Sequence, residues 1–431
     1  MTPAPKAQRS PASHARNTRP SEAGAWALAL AALLLGAWFR IAWPIDVPEL
    51  TPDEQYVAHY GYGLLHHGFA DVHATLDHYN RTPQLWQFPS PARLGPTLVA
   101  AAVIAVTGSE QILNLALWST LVSLLTLPLL FWSTRRRFGG WAAAVAVLFL
   151  AVSPLDIAVA RHAWQESSLA LLGLGLLATA AELLEPSAHR GWWALHVALG
   201  AAALMFKESM ALVLGLVTLG LALVSWRATR DARAMIPPLA AGAAAVAIAG
   251  GLTVLACGGI APVRESLSHL LVAGPRNEYL ERFQRGTPAY YLVGLGLLEP
   301  LPWLLGTLAS VLALTRTPFM LQGWNRPSGR PVLLLLAGFA LCFEAFAAFY
   351  PQKNMRFLSP LWPANAGLAG VFVIAALRAV RARAARATYG TALAATAVLL
   401  GVSAVVELQR FVHFFLELRI GDLATPWFTG R

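Results

Sequence analysis

Long apolar stretches separated by short polar breaks constrain this chain more than any other feature. Eleven such runs are readable, near residues 23–44, 110–133, 141–158, 167–184, 191–206, 209–226, 235–256, 288–314, 331–350, 357–377 and 388–406. A bilayer core of roughly 30 Å needs about 20 apolar residues in a helix, which is the length of these runs. Strands of a membrane barrel would instead show about ten alternating residues each. Only 13% of the 431 residues are charged and 57% are hydrophobic, against roughly 25% charged in a soluble domain. The fold class expected is an all-α polytopic membrane protein with about eleven transmembrane helices.

The net charge of +10 needs its distribution read before its meaning. With the N-terminus inside, the inner segments are 1–22, 135–137, 189–190, 227–233, 316–330 and 378–386. With Glu182 and Glu185, just before 189–190, counted on the same side, they hold 18 Lys/Arg against Glu22, Glu182, Glu185 and Asp231, and the rest of the chain holds 14 Lys/Arg against 18 Asp/Glu. Basic loops on one side encode orientation, so the positive balance calls for no nucleic acid. Residues 92–108, "ARLGPTLVAAAVIAVTG", could cross alone, but every later Arg-rich loop would then face outward. They read as a juxtamembrane or re-entrant helix, leaving the N-terminus in and the C-terminus out.

The domain reading follows. Residues 1–22 are a basic, Pro/Ser/Ala-rich cytoplasmic tail expected to be disordered, and 23–44 is a retained first span without a signal-peptide cleavage site. One membrane domain covers 23–406, with outer loops at 45–109 and 257–287 that carry juxtamembrane helices. The tail 407–431 spaces Leu408, Phe411, Phe415 and Leu418 at helical intervals, as a helix lying in the outer interface would. Cys257 and Cys342 sit at the end and the middle of apolar runs, which gives no disulfide framework. No internal repeat is visible.

On this topology the titratable residues crowd the outer rim. "LTPDEQYVAHYG" puts Asp53 and Glu54 about ten residues past the first run. "SPLDIAVARHAWQES" carries Asp156, Arg161 and Glu166, "FKES" carries Lys207 and Glu208, and "YPQKNMRFLSPLWP" carries Lys353 and Arg356. Charges at membrane depth are costly and usually face a cavity or a partner. Cations at a bilayer edge suit a phosphate whose lipid tail stays in the membrane, held by Arg in a bidentate fork or by Lys as a point charge.

These motifs, with "RRRFGG" and the proline-rich entry "PSPARLGP", in this order and on this side, resemble those of the GT-C membrane glycosyltransferases. The resemblance runs over residues 25–375 and is to the protein O-mannosyltransferases and lipid A aminoarabinose transferases of glycosyltransferase family 39. It implies a GT-C type fold in the cell inner (plasma) membrane. It implies transfer of a sugar, with inversion, from a polyprenyl-phosphate donor to a hydroxyl of a lipid, glycan or protein acceptor on the outer face. Carried over by position, Asp53 is the general base, with Glu54 beside it. Lys207, Lys353 and Arg356 match donor-phosphate positions, Arg93 and Arg276 join them as candidates, and Glu166 falls where relatives carry Asp. Asp156, Arg161 and Glu166 are substrate-binding or structural polar groups. Relatives often show His-Pro-Pro where this chain has "PSPARLGP", and Phe357 stands where a Tyr commonly follows the Arg.

Each candidate also has a structural reading. "TPDE" is a good helix start, with Thr51 as cap and Pro52 at the first position. Lys207 can snorkel to the interface, and Lys353 and Arg356 can anchor the next helix. Arg276, Arg282 and Arg285 can lie on a solvated helix, paired with Glu278 and Glu281. His59, His66, His67, His73 and His78 with Asp71 and Asp77 are rich enough for a divalent metal but fit no zinc spacing, so no metal is assigned. Glu299 and Glu344 fall inside spans. A transporter or lipid flippase for envelope precursors is the competing class, and it predicts charges deep in several spans together with internal symmetry. A non-catalytic subunit of an envelope-assembly complex is the third reading.

Overall fold

A computed structural model describes residues 22–42, 51–270, 281, 285–322, 324 and 328–420. Arg276 and Arg282, most of the basic tail and residues 421–431 lie outside the described residues. The chain is helical, and among the described residues no strand forms. Helix α1 (Glu22–Ile41) is followed by α2 (Pro52–His67), α3 (Phe69–Arg81) and α4 (Leu94–Thr107). Next come α5 (Ile112–Phe138), α6 (Gly140–Val152), α7 (Pro154–Ala160) and α8 (Glu166–Leu183). Helices α9 (Gly191–Phe206), α10 (Met210–Thr229), α11 (Ile236–Ala256) and α12 (Ile260–Ser268) continue the chain. The last group is α13 (Ala289–Leu298), α14 (Pro300–Leu314), α15 (Pro318–Leu321), α16 (Gly329–Phe349), α17 (Trp362–Arg383) and α18 (Arg386–Phe411).

Among the described residues, eight helices are long and apolar enough to cross a bilayer, and nine if α6 and α7 count as one span bent by 60°. The other two expected spans fold as α9, with 16 residues, and as the short pair α13 and α14. Helix length therefore does not establish the expected count of eleven. The bend between α6 and α7 has a local cause. Pro154 opens α7 and lacks the amide that would continue α6, while Ser153 Oγ caps the new helix by accepting from the Asp156 amide (3.1 Å). Gly139, at φ 94°, makes the turn from α5 into α6, a backbone region open to glycine at little cost.

Helix α6 runs through the middle, packed against α1, α5 and α17. Its small residues Ala142 to Ala146 are buried, which lets those helices approach closely. The opposite pattern marks the periphery, where Trp26, Leu30, Leu34 and Trp38 form an exposed i, i+4 stripe on α1, a face suited to lipid.

Helix α4 has 14 residues, about 21 Å at 1.5 Å per residue, and is too short to cross a bilayer core by itself. It packs along α2, where a Cβ on Gly61 would stand 2.4 Å from Ala100 Cβ. The two expected loops meet over one end of the bundle. Asn80 donates to the Pro262 carbonyl (3.0 Å), Ser90 and Ser266 share a hydroxyl contact of 2.6 Å, and Trp86 stacks on His269 at 3.8 Å. The segment after 407 departs from the expected free-lying interfacial helix. It continues α18 through a wider turn over Val412–Glu417, and Phe411 and Phe415 are buried, so their apolar spacing serves packing on protein.

Candidate active site

Neighbouring residues on a helix point about 100° apart, and this separates the acidic pair at the start of α2. Glu54 turns inward and is buried. Its carboxylate accepts from the Thr51 amide (2.8 Å) and hydroxyl (3.0 Å) and from the Ala163 amide (2.7 Å), and His162 Nδ1 stands 3.5 Å away. Burial pushes this carboxyl up, but the histidine and the two amides outweigh it and leave it below the usual glutamate value. Trp164 Nε1 donates to the Thr51 hydroxyl (3.1 Å), so Glu54 and Thr51 together fasten the start of α2 to the 162–164 turn.

Asp53 turns the other way, into a cavity of about 430 Å³. Its side chain is 35% exposed to that space and faces Arg356 Nη1 at 3.6 Å. Enclosure by the surrounding protein raises its carboxyl above the usual aspartate value, with Arg356 pulling the other way. Around the rim, the N-terminus of α8 brings Glu166 to Lys207 Nζ at 2.8 Å, and Lys207 also lies 5.0 Å above the Phe357 ring. Arg93, which precedes α4, forks onto Glu208, with Nε donating to Oε2 at 2.8 Å and Nη2 bonding Oε1. The Arg356 guanidinium lies 4.5 Å over Trp164. Trp118, Leu169, Phe206, Leu212, Phe343 and Phe346 supply apolar wall, with Ser119, Ser168, Gln165 and Gln352 among them. The space thus combines a cluster of charged side chains with a largely apolar and aromatic lining.

Of the candidates read from sequence, Asp53, Arg93, Glu166, Lys207 and Arg356 line this cavity. Lys353 does not. It is 1% exposed, and its Nζ donates to the carbonyls of Ala347 (2.8 Å), Ala348 (2.7 Å) and Tyr350, closing the C-terminus of α16. Asp156 pairs with Arg40, inside the bundle, and accepts from Ser123 (2.7 Å). Arg161 donates to the Phe39 carbonyl (3.3 Å) and lies 5.8 Å over Phe411. Arg40 went unread in the sequence because it sits within the first apolar run, and only the fold shows its partner. Among the described residues no three His, Cys, Asp or Glu side chains converge as a metal would require.

Residues 94–252 match the family model of the dolichyl-phosphate-mannose-protein mannosyltransferases. Comparison with curated proteins finds no match. Solved structures supply the decisive likeness. ArnT from Cupriavidus metallidurans in the apo state superposes with a TM-score of 0.57 at 21% identity, over 88% of this chain and 64% of that one. The same protein bound to undecaprenyl phosphate gives 0.56 at 21%, over 88% and 63%. The Archaeoglobus fulgidus oligosaccharyltransferase AglB, in complex with an inhibitory peptide and a dolichol-phosphate, gives 0.61 at 11%, over 90% and 56%. The chain has the GT-C fold. It spans less than two thirds of the length of these GT-C structures. Within the GT-C frame, the cavity lies where α2, α4, α8, the α9–α10 hairpin and the segment before α17 meet.

Proposed function

We propose that this protein is a membrane glycosyltransferase that moves a sugar from a polyprenyl-phosphate donor to an acceptor hydroxyl on the outer face of the cell inner membrane. The observation that carries the reading is an amphiphilic cavity in which Arg93, Lys207 and Arg356 cluster around Asp53 and apolar side chains supply much of the remaining wall. An amphiphilic phosphate fits such a space, its charge on the cations and its first isoprene units on the aromatic wall. The named ligands of the solved GT-C structures, undecaprenyl phosphate and dolichol-phosphate, agree with that choice.

In the reaction, the acceptor oxygen attacks the anomeric carbon while the bond from that carbon to the phosphate oxygen breaks. The acceptor proton passes to Asp53, and the electron pair leaves with the phosphate, which departs as polyprenyl phosphate. A single displacement inverts the anomeric centre. A phosphate leaving group needs neutralising charge more than an acid, which accounts for one carboxylate opposed by cations in place of the two-carboxylate pair of hydrolases. Glu54 is the positioning residue that orients α2, and Lys353 holds the turn from which Arg356 projects. Arg276 remains a candidate phosphate contact. The Arg-rich loops at the far end of the bundle support a cytoplasmic placement of that end.

The test is Asp53→Asn in proteoliposomes supplied with lipid-linked sugar. A positioned base contributes roughly 10²- to 10⁴-fold, and a loss of that size in kcat is expected. Undiminished transfer would reject the assignment.

A further inference from the structure

The cavity carries as many acids as bases on its ionic rim. Among the described lining residues, Arg93 meets Glu208, Lys207 meets Glu166 and Arg356 meets Asp53. An incoming phosphate therefore finds its cations already matched, and at least one pair has to open. The three pairs differ in how freely they can do so. Glu166 is locked in the protein, with its side chain 3% exposed. Asp53 faces Arg356 from 3.6 Å and has its own role as base. Glu208 is 31% exposed and projects from the two-helix turn "FKES", so its side chain can swing aside without moving either helix.

The geometry points to Glu208 as an internal stand-in for the donor phosphate: it neutralises Arg93 while the site is empty, yields Arg93 when the donor docks, and reclaims it as the product leaves. This rests on the polyprenyl-phosphate reading above and goes beyond it by assigning a residue to release. The two phosphates differ in charge. The sugar-linked donor is a diester with a single negative charge, whereas the product is a monoester carrying about −1.5 to −2 at pH 7. Cations strong enough to hold the donor would hold the product more tightly, and a carboxylate that competes for one of them counters that trap. The pair is not needed to keep α4 in place. Gly95 packs so closely on Phe206 that a Cβ there would stand 2.4 Å from the ring, and Gly61 of α2 packs equally closely on Ala100 of α4. Burial raises the Glu208 carboxyl and Arg93 more than offsets it, which keeps it ionised and competent to compete.

The experiment measures binding of undecaprenyl phosphate to the full-length protein in nanodiscs, for wild type, Glu208→Gln, Arg93→Gln and the double variant, alongside thermal unfolding. Glu208→Gln is expected to bind about fivefold more tightly, the change that corresponds to removing a partly exposed competing ion pair. It is also expected to show stronger inhibition of transfer by added undecaprenyl phosphate. Arg93→Gln is expected to bind more weakly, and the double variant to match Arg93→Gln, because without Arg93 there is nothing to compete for. Unchanged or weaker binding by Glu208→Gln, with or without a lower unfolding temperature, overturns the stand-in role, as does a double variant that keeps the gain. If Arg93→Gln binds as wild type does, Arg93 is no phosphate ligand and the inference fails with it. Failure of the wild type itself to bind undecaprenyl phosphate would overturn the donor reading, a result distinct from the others.

Discussion

Asp53 and Glu54 are adjacent in sequence and opposite in circumstance, and both circumstances have measurable consequences. The proposed role of Asp53 as base requires it ionised, and its carboxyl is held above the ordinary aspartate value. Activity is therefore expected to be complete above that raised value and to fall as the pH drops through it. The acid limb of kcat/KM is expected at higher pH than a free aspartate would place it. A limb at or below about pH 3.9, the unperturbed value, would contradict the assignment. Glu54 does not line the Asp53 cavity, and its loss would strand the Ala163 and Thr51 amides. For Glu54→Ala we expect about 1–3 kcal/mol of lost stability per stranded buried group, read as a lower unfolding temperature, and a reduced kcat with little change in KM. The sequence made the pair conspicuous, but adjacency carries no information on which member faces a cavity. Asp53, Lys207, Glu166 and Arg356 were legible because a charge beside a membrane-length run has few places to go. Glu208 was legible as a charge in a tight turn, and its hold on Arg93, 115 positions away, was not.

At the scale of elements, the hydrophobic runs located the helices, and the breaks between them were where expectation and structure parted. The runs at 141–158 and 288–314 each hide an interruption at Ser153–Pro154 and Glu299–Pro300. Apolar character continues through both breaks, so a hydropathy reading passes over them. The interruptions are where polar groups gather, for Ser153 bonds Glu299 across the bundle and Leu155 donates to the same carboxyl (3.4 Å). The helix-end logic also resolves Lys353. The last carbonyls of any helix lack partners within it, and this ammonium supplies three bonds to the end of α16. Lys353→Met is expected to cost about 1–3 kcal/mol in a detergent melt and to reduce activity only through Arg356, whose turn it holds. A variant with wild-type stability and weakened phosphate binding would return Lys353 to the phosphate site.

For the molecule as a whole, charge asymmetry predicts the orientation, and the long helices α5, α8, α10 and α16 run between the cavity and the end that carries the Arg-rich loops. In a cysteine-free background, a cysteine at Gln352 is expected to react with a membrane-impermeant maleimide on intact cells. One at Arg230 is expected to react only after permeabilisation. Labelling of both from the same side would end the outer-face reading. The competing transporter class expects charges deep in the spans. Charges within the spans do occur: Arg40 pairs with Asp156, Glu299 bonds Ser153, Glu344 accepts from Thr307 (3.2 Å) and Glu407 from Ser403 (3.0 Å), and none of these five lines the Asp53 cavity. The size of that cavity has a consequence of its own. About 430 Å³ would, on the proposed reading, take a phosphorylated sugar and the opening units of its carrier. On that reading, the remaining isoprenes of a polyprenyl donor would stay among the neighbouring acyl chains, so the enzyme would discriminate the head of its donor and use the tail as a tether.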